Sequence, residues 1–132
     1  MKIFLIPILL LLSFFCKSQD TQQKYHFKYV YYIITNNETK EKREIPTGKD
    51  ADVIYDTFFK SYKTVWTDNE NIRAGTSFIY LKNEGEMDLV RDDTKTQYLV
   101  WNLMTAKDKL FIIFKEPRDN HMVMILFTNQ IL

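Results

Sequence analysis

Residues Asp50–Trp66 read DADVIYDTFFKSYKTVW, and the fold reading turns on them. Ala51, Ile54, Tyr55, Phe58, Tyr62, Val65 and Trp66 recur at spacings of three and four, the period of one face of an α-helix. Asp52, Asp56, Lys60 and Lys63 fall on or beside the opposite side. The acids come early and the lysines late, which suits the helix dipole. Asp50, or Thr47 with Asp50 three residues on, supplies an N-terminal cap. Thr67-Asp68-Asn69-Glu70-Asn71 ends the run. The spacing predicts one amphipathic helix over 50–66, and no second helix elsewhere.

The rest of the chain reads as strands. Upstream, Tyr25–Ile34 places Tyr25, Phe27, Tyr29, Tyr31 and Ile33 on one face by simple alternation. Asn36–Thr39 is a turn, and the charged run Lys40–Ile45 is a short exposed edge strand. After Gly75 the alternation resumes at Thr76–Lys82, Met87–Arg91 and Thr96–Met104, with polar turns between. The last two strands, Leu110–Phe114 and Met122–Phe127, flank a turn built on Pro117, Asp119 and Asn120. Both are apolar on both faces, so both faces need cover. A single helix covers one. The other must be closed by the sheet curling on itself, by a partner subunit or by a ligand.

The N-terminus has a different character. Met1-Lys2 followed by the apolar run Ile3–Phe15 has the layout of a secretory signal peptide. It is short for a membrane span, which needs roughly 20 apolar residues. Cys16-Lys17-Ser18 offers small residues for cleavage after Ser18. The sequence favours residues 1–18 as signal peptide and 19–132 as one α+β domain, periplasmic or secreted, with no membrane span in the mature chain. The alternative is a lipoprotein anchored through Cys16. The Lys/Asn/Tyr-rich body and the SQ junction resemble exported proteins of Bacteroidetes-type bacteria.

Cys16 is the one cysteine, so disulfides cannot compensate for a small core. Eight Tyr, ten Phe and two Trp supply large buried area instead. Losing Lys2 and Lys17 leaves 16 basic against 17 acidic residues. That balance argues against nucleic acid as a partner.

Residues for chemistry are sparse. His26 and His121 read as strand-end residues at the sheet rim, and Ser61 and Ser77 lack a nucleophile-elbow context. No His/Cys spacing suits zinc. Asp68–Asn71 lacks the calcium-loop pattern. Glu44, Asp56 and Glu116 are bare candidates for paired carboxylates. Gly48, Gly75 and Gly85 are isolated in turns and form no phosphate loop. The sequence therefore predicts no enzyme, no catalytic residue, no metal and no cofactor.

The expected fold is α+β: one helix on a curved, mostly antiparallel sheet of about six to seven strands. Its order of elements resembles cystatin-like and NTF2-like folds. The expected function is a small bacterial non-enzymatic protein that binds another protein, or a second copy of itself, through a sheet face or rim. Inhibitor, immunity and assembly proteins are of this type. The alternative is a module with a pocket for a small apolar ligand between helix and sheet. Tyr25, Phe27, Tyr29, Tyr31, Tyr98 and Trp101 are the expected ligand- or partner-binding residues.

Overall fold

The computed structural model describes residues 21–132. The signal-peptide reading of residues 1–18 and the processing of Cys16 lie outside the described residues.

Residues 50–66 form a hairpin, not a helix. Strands β2 (Lys42–Asp56) and β3 (Ser61–Asp68) pair antiparallel, with Val53 opposite Thr64 and Tyr55 opposite Tyr62. Ala51, Val53, Tyr62 and Thr64 are buried, and Tyr55 and Trp66 partly so. The buried positions thus alternate at period two on each side of a turn. Asp56 builds that turn: its Oδ1 accepts the amide N–H groups of Phe58 and Phe59 at 2.9 and 3.1 Å. Lys60 completes it at φ 54°. A short turn between two period-two runs returns apolar residues at intervals of three and four by accident. The β-branched and aromatic side chains of the run favour a pleated, half-buried surface.

The other strands are β1 (Gln22–Asn36), β4 (Arg73–Glu84), β5 (Met87–Arg91), β6 (Gln97–Leu103), β7 (Lys109–Phe114) and β8 (His121–Thr128). One helical turn, α1 (Met104–Lys107), joins β6 to β7. Each strand pairs antiparallel with the next, and β8 pairs with β1, closing an up-and-down barrel. The expected α+β fold, with its cystatin-like or NTF2-like order, is therefore corrected to an all-β eight-stranded barrel. The predicted helix supplies two of its strands. Lys40–Ile45 is no short edge strand but leads into a 15-residue β2. The expected strands from Thr76 to Phe127 are present as β4 to β8 with shifted ends. Full curling of the sheet covers one face, the inner one, and closure removes the sheet edges.

The interior is the core. Eight strands give an interior about wide enough for side chains to fill. Phe27, Val30, Val53, Tyr62, Phe78, Val100, Ile112 and Phe127 converge there. The Phe127 ring lies 6.1 Å from Phe27 and 5.6 Å from Trp66, and Phe78 meets Tyr98 edge-on at 5.2 Å. Gly48 and Gly75, expected in turns, lie inside β2 and β4. A Cβ at Gly48 would run into the Trp66 indole and the Thr67 carbonyl. Gly48 is thus the gap that Trp66 fills.

The two ends of the barrel differ. The chain enters β1 at one end, which also carries the β2–β3, β4–β5 and β6–β7 connections. The far end carries the β1–β2, β3–β4, β5–β6 and β7–β8 connections.

Candidate functional site

The six expected binding residues do not share a face. Phe27 pairs with Ala51, and both point inward. One step on, Asp50 takes φ 50°, the β2–β3 register is irregular between Lys49 and Asp52, and the β1–β2 register shifts between Val30 and Tyr31. Beyond the slip Val30, not Tyr29, points inward. Tyr25 and Phe27 therefore belong to the interior, and Tyr29 and Tyr31 to the outer surface. Tyr98 lies inside, and Trp101 outside against Phe111 at 5.7 Å.

The slip is held from the neighbouring strands. The Arg73 guanidinium donates through Nη1 to the Asp50 carbonyl at 2.7 Å and to Thr67 Oγ1 at 3.1 Å. Its Nη2 donates to Asp52 Oδ2 at 2.9 Å, and His26 Nδ1 lies 3.0 Å from Asp52 Oδ1. The His26 hydrogen bond is the largest influence holding the Asp52 carboxyl below its ordinary value, with Lys24 and Arg73 adding to it. His26 therefore sits on the barrel wall, hydrogen-bonded to Asp52, not at the rim.

Outward-pointing residues form two faces. Across β5 to β1, Leu89, Leu99, Ile113, Met124 and Ile33 stand opposite one another in register. A second row runs Trp101, Phe111, Leu126 and Tyr31. Five strands at about 4.8 Å spacing make the first row about 19 Å wide. Tyr31, Ile33 and Leu126 form a second buried cluster there, with Tyr29, Phe111 and Met124 half-buried around it. The Leu132 amide donates to Tyr31 Oη at 3.4 Å, bringing the C-terminal residues back onto this face. At its far end, Asn37, Leu99, Ile113, Pro117 and Met122 border a shallow cavity of about 220 Å³. Around β2 to β4 the outward residues are Lys49, Asp52, Lys63, Thr67, Arg73 and Ser77, with Ile54, Val65 and Ile79 among them.

The far-end mouth has two further recesses. One, of about 280 Å³, is lined by Tyr32, Thr47, Trp66, Asp68, Ile72, Ala74 and Thr76. The other, of about 320 Å³, lies among Lys95, Thr96, Gln97, Phe114, Glu116, Pro117 and Arg118. The Arg118 guanidinium sits 4.3 Å over the Phe114 ring. Nearby, the Asp92 carboxylate accepts from Tyr98 Oη at 2.8 Å, from Thr94 Oγ1 at 2.7 Å and from the amides of Thr94 and Thr96. Burial works against the charge, but these donors together hold Asp92 below its ordinary value. Burial and then the Asp92 carboxylate push the Tyr98 hydroxyl upward. This is a turn locked by a charged acceptor, not an acid–base pair.

Glu44, Asp56 and Glu116 are not brought together. Glu44 pairs with Lys42 near the far end, Glu116 lies in the β7–β8 connection, and Asp56 holds a turn at the entry end. Among the described residues no group of three or more His, Cys, Asp or Glu is placed to hold a metal ion. Outward apolar rows invert no part of the core, because the interior is apolar too. A membrane-spanning barrel has a polar lumen and an apolar band around its whole outside, and neither holds here.

Phe111, Met122 and Met124 of this face lie in the two runs, Leu110–Phe114 and Met122–Phe127, that the sequence marks as apolar. It also announced that β7 and β8 are apolar on both sides. It missed Phe58 and Phe59, because helical spacing assigned Phe58 to a core-facing position. Comparison with known protein families, with curated proteins and with solved structures finds no match to the chain.

Proposed function

We propose that this is an exported bacterial, non-enzymatic protein that binds another protein through the outer face of β6, β7, β8 and β1. One observation carries the reading. Those strands are apolar on the outer side too, where Tyr31, Ile33 and Leu126 are buried but Trp101, Phe111 and Met124 stay partly exposed around them. The interior is lined by its own aromatic and aliphatic residues, and Trp101, Phe111, Met124 and their neighbours are not among them. Aromatic residues and Met are the types enriched where proteins meet, whereas Lys, Glu and Asp are depleted. Export rests on Met1-Lys2, Ile3–Phe15 and the Cys16–Ser18 junction.

The test is affinity capture from the native host, alongside light scattering on the purified chain. Wild-type protein should retain a protein partner or form a dimer. Trp101→Ser with Phe111→Ser should abolish that association and leave the barrel folded. A clean monomer that captures nothing, or capture that the double variant leaves intact, would sink the proposal.

A second reading is favoured by Thr64. Its hydroxyl is fully buried on an inward-facing position, with no hydrogen-bond partner among the described residues. A buried hydroxyl without a partner is costly. A small, mostly apolar ligand with one polar atom, entering at the mouth lined by Tyr32 and Trp66, would satisfy it. This replaces the expected pocket between helix and sheet, since no such helix exists. Native mass spectrometry of protein from its own host checks it: repeated absence of bound mass rules the ligand out.

A further inference from the structure

Phe58 and Phe59 are the most conspicuous apolar side chains on the surface. They are 73% and 68% exposed, at the tip of the β2–β3 hairpin. Their rings meet edge-on at 4.9 Å. The tip is a built feature, because Asp56 Oδ1 holds both amides. Ile72, Ile79, Leu81, Met122, Leu132 and the still more exposed Ile131 are on the surface too, but none is aromatic.

The tip is also tied to the chain's entry point. Thr57 donates twice to the Thr21 carbonyl, through its amide at 2.9 Å and its hydroxyl at 3.0 Å. The segment that precedes Thr21 carries the apolar run Ile3–Phe15 and Cys16. Cys16 is five residues from Thr21, a reach of at most about 17 Å. Anchoring through Cys16, the alternative to cleavage after Ser18, would hold this end of the barrel at the bilayer, and the inference rests on that reading.

We infer that the Phe58–Phe59 tip is a membrane-surface contact that dips into the interfacial region of a lipid bilayer. Size decides the kind of occupant. A stable protein interface buries about 800 Å² per partner. Two phenylalanines offer about 300–500 Å² even if wholly buried. Insertion into a bilayer surface needs only a few apolar side chains beside a second anchor. Charge contributes little. Lys60 Nζ lies 5.1 Å over the Tyr80 ring, and Asp56 stands at the turn with it. Contact should therefore be insensitive to salt and should not need anionic lipid.

The test uses the full chain in phosphatidylcholine vesicles with brominated acyl chains. Phe59→Trp places an indole at the tip, and Asp93→Trp places one at the far end. Trp66 and Trp101 supply the baseline, measured in the unsubstituted protein. The tip indole should shift to the blue and be quenched, while the far-end indole should not. In parallel, Phe58→Ser with Phe59→Ser should lower retention of the processed chain on unbrominated vesicles about tenfold, in low and high salt alike. Near-ultraviolet circular dichroism confirms that both variants keep the fold. Equal quenching at positions 59 and 93, or unchanged retention of the double variant, overturns the inference.

Discussion

The two sides of the barrel wall share one core and differ in what they show outside. Strands β2 to β4 turn Lys49, Asp52, Lys63 and Arg73 outward. Strands β6, β7, β8 and β1 turn out Trp101, Phe111, Leu126 and Tyr31 in one row and Leu99, Ile113, Met124 and Ile33 in the next. Inside, both halves send apolar and aromatic residues to the same cluster. The interior cluster therefore needs one side of every strand, and on the outer side Tyr31, Ile33, Leu126 and Leu89 are buried as well. The apolar outer rows answer a demand other than closing the barrel, and the charged wall shows what the outside looks like without it.

The interior should prove indifferent to this division. Phe127→Ala, beneath the apolar wall, should cost about 3–5 kcal/mol in urea unfolding. Gly48→Ala, beneath the charged wall, should cost about 1–3 kcal/mol by forcing Trp66 aside, with a matching change in tryptophan fluorescence. The outer rows should matter less. Trp101→Ser and Phe111→Ser are expected to cost about 1 kcal/mol each, because these side chains are only half-buried. If they cost as much as Phe127→Ala, the outer rows are a second core and the contrast between the walls disappears.

The smallest effects belong to the charged wall. Arg73→Gln should cost at most about 1 kcal/mol, given its exposure. The pH dependence sharpens the point. Asp52 has a lowered folded-state value, so its contribution is present above its unfolded value of about 3.8 and fades as pH falls below that. Asp52→Asn should therefore narrow the gap between wild type and variant on going from neutral pH into that acidic range. A gap that widens there would contradict the assigned ion pair.

How far the sequence disclosed this molecule depends on the stretch. The β7 and β8 strands were legible, because short runs apolar on both sides have few other readings. Curling stands in the sequence only as one of three ways to cover a second face, beside a partner and a ligand, and the strands alone do not choose among them. Asp50–Trp66 was misread because Phe58 happens to complete a helical stripe that Asp56 interrupts. The local hydrogen bonds of Asp56 decide the matter, and spacing alone does not report them. The division of Tyr25 and Phe27 from Tyr29 and Tyr31 was equally hidden. It depends on Asp50 at positive φ and on Arg73 reaching across from β4, a contact between residues far apart in the chain. Of the candidate surface, Tyr29, Tyr31 and Trp101 were named but grouped with inward residues, since strict alternation cannot anticipate a slip.

Closure of β8 onto β1 has a consequence in time. Tyr31 must wait for Leu126, its partner some ninety residues later, and contacts of such long range form slowly. Each hairpin can pair locally, but the wall stays open until the final strand arrives. A chain so arranged stays an open sheet while the earlier hairpins form, and becomes a sealed barrel only once His121–Thr128 has paired with β1.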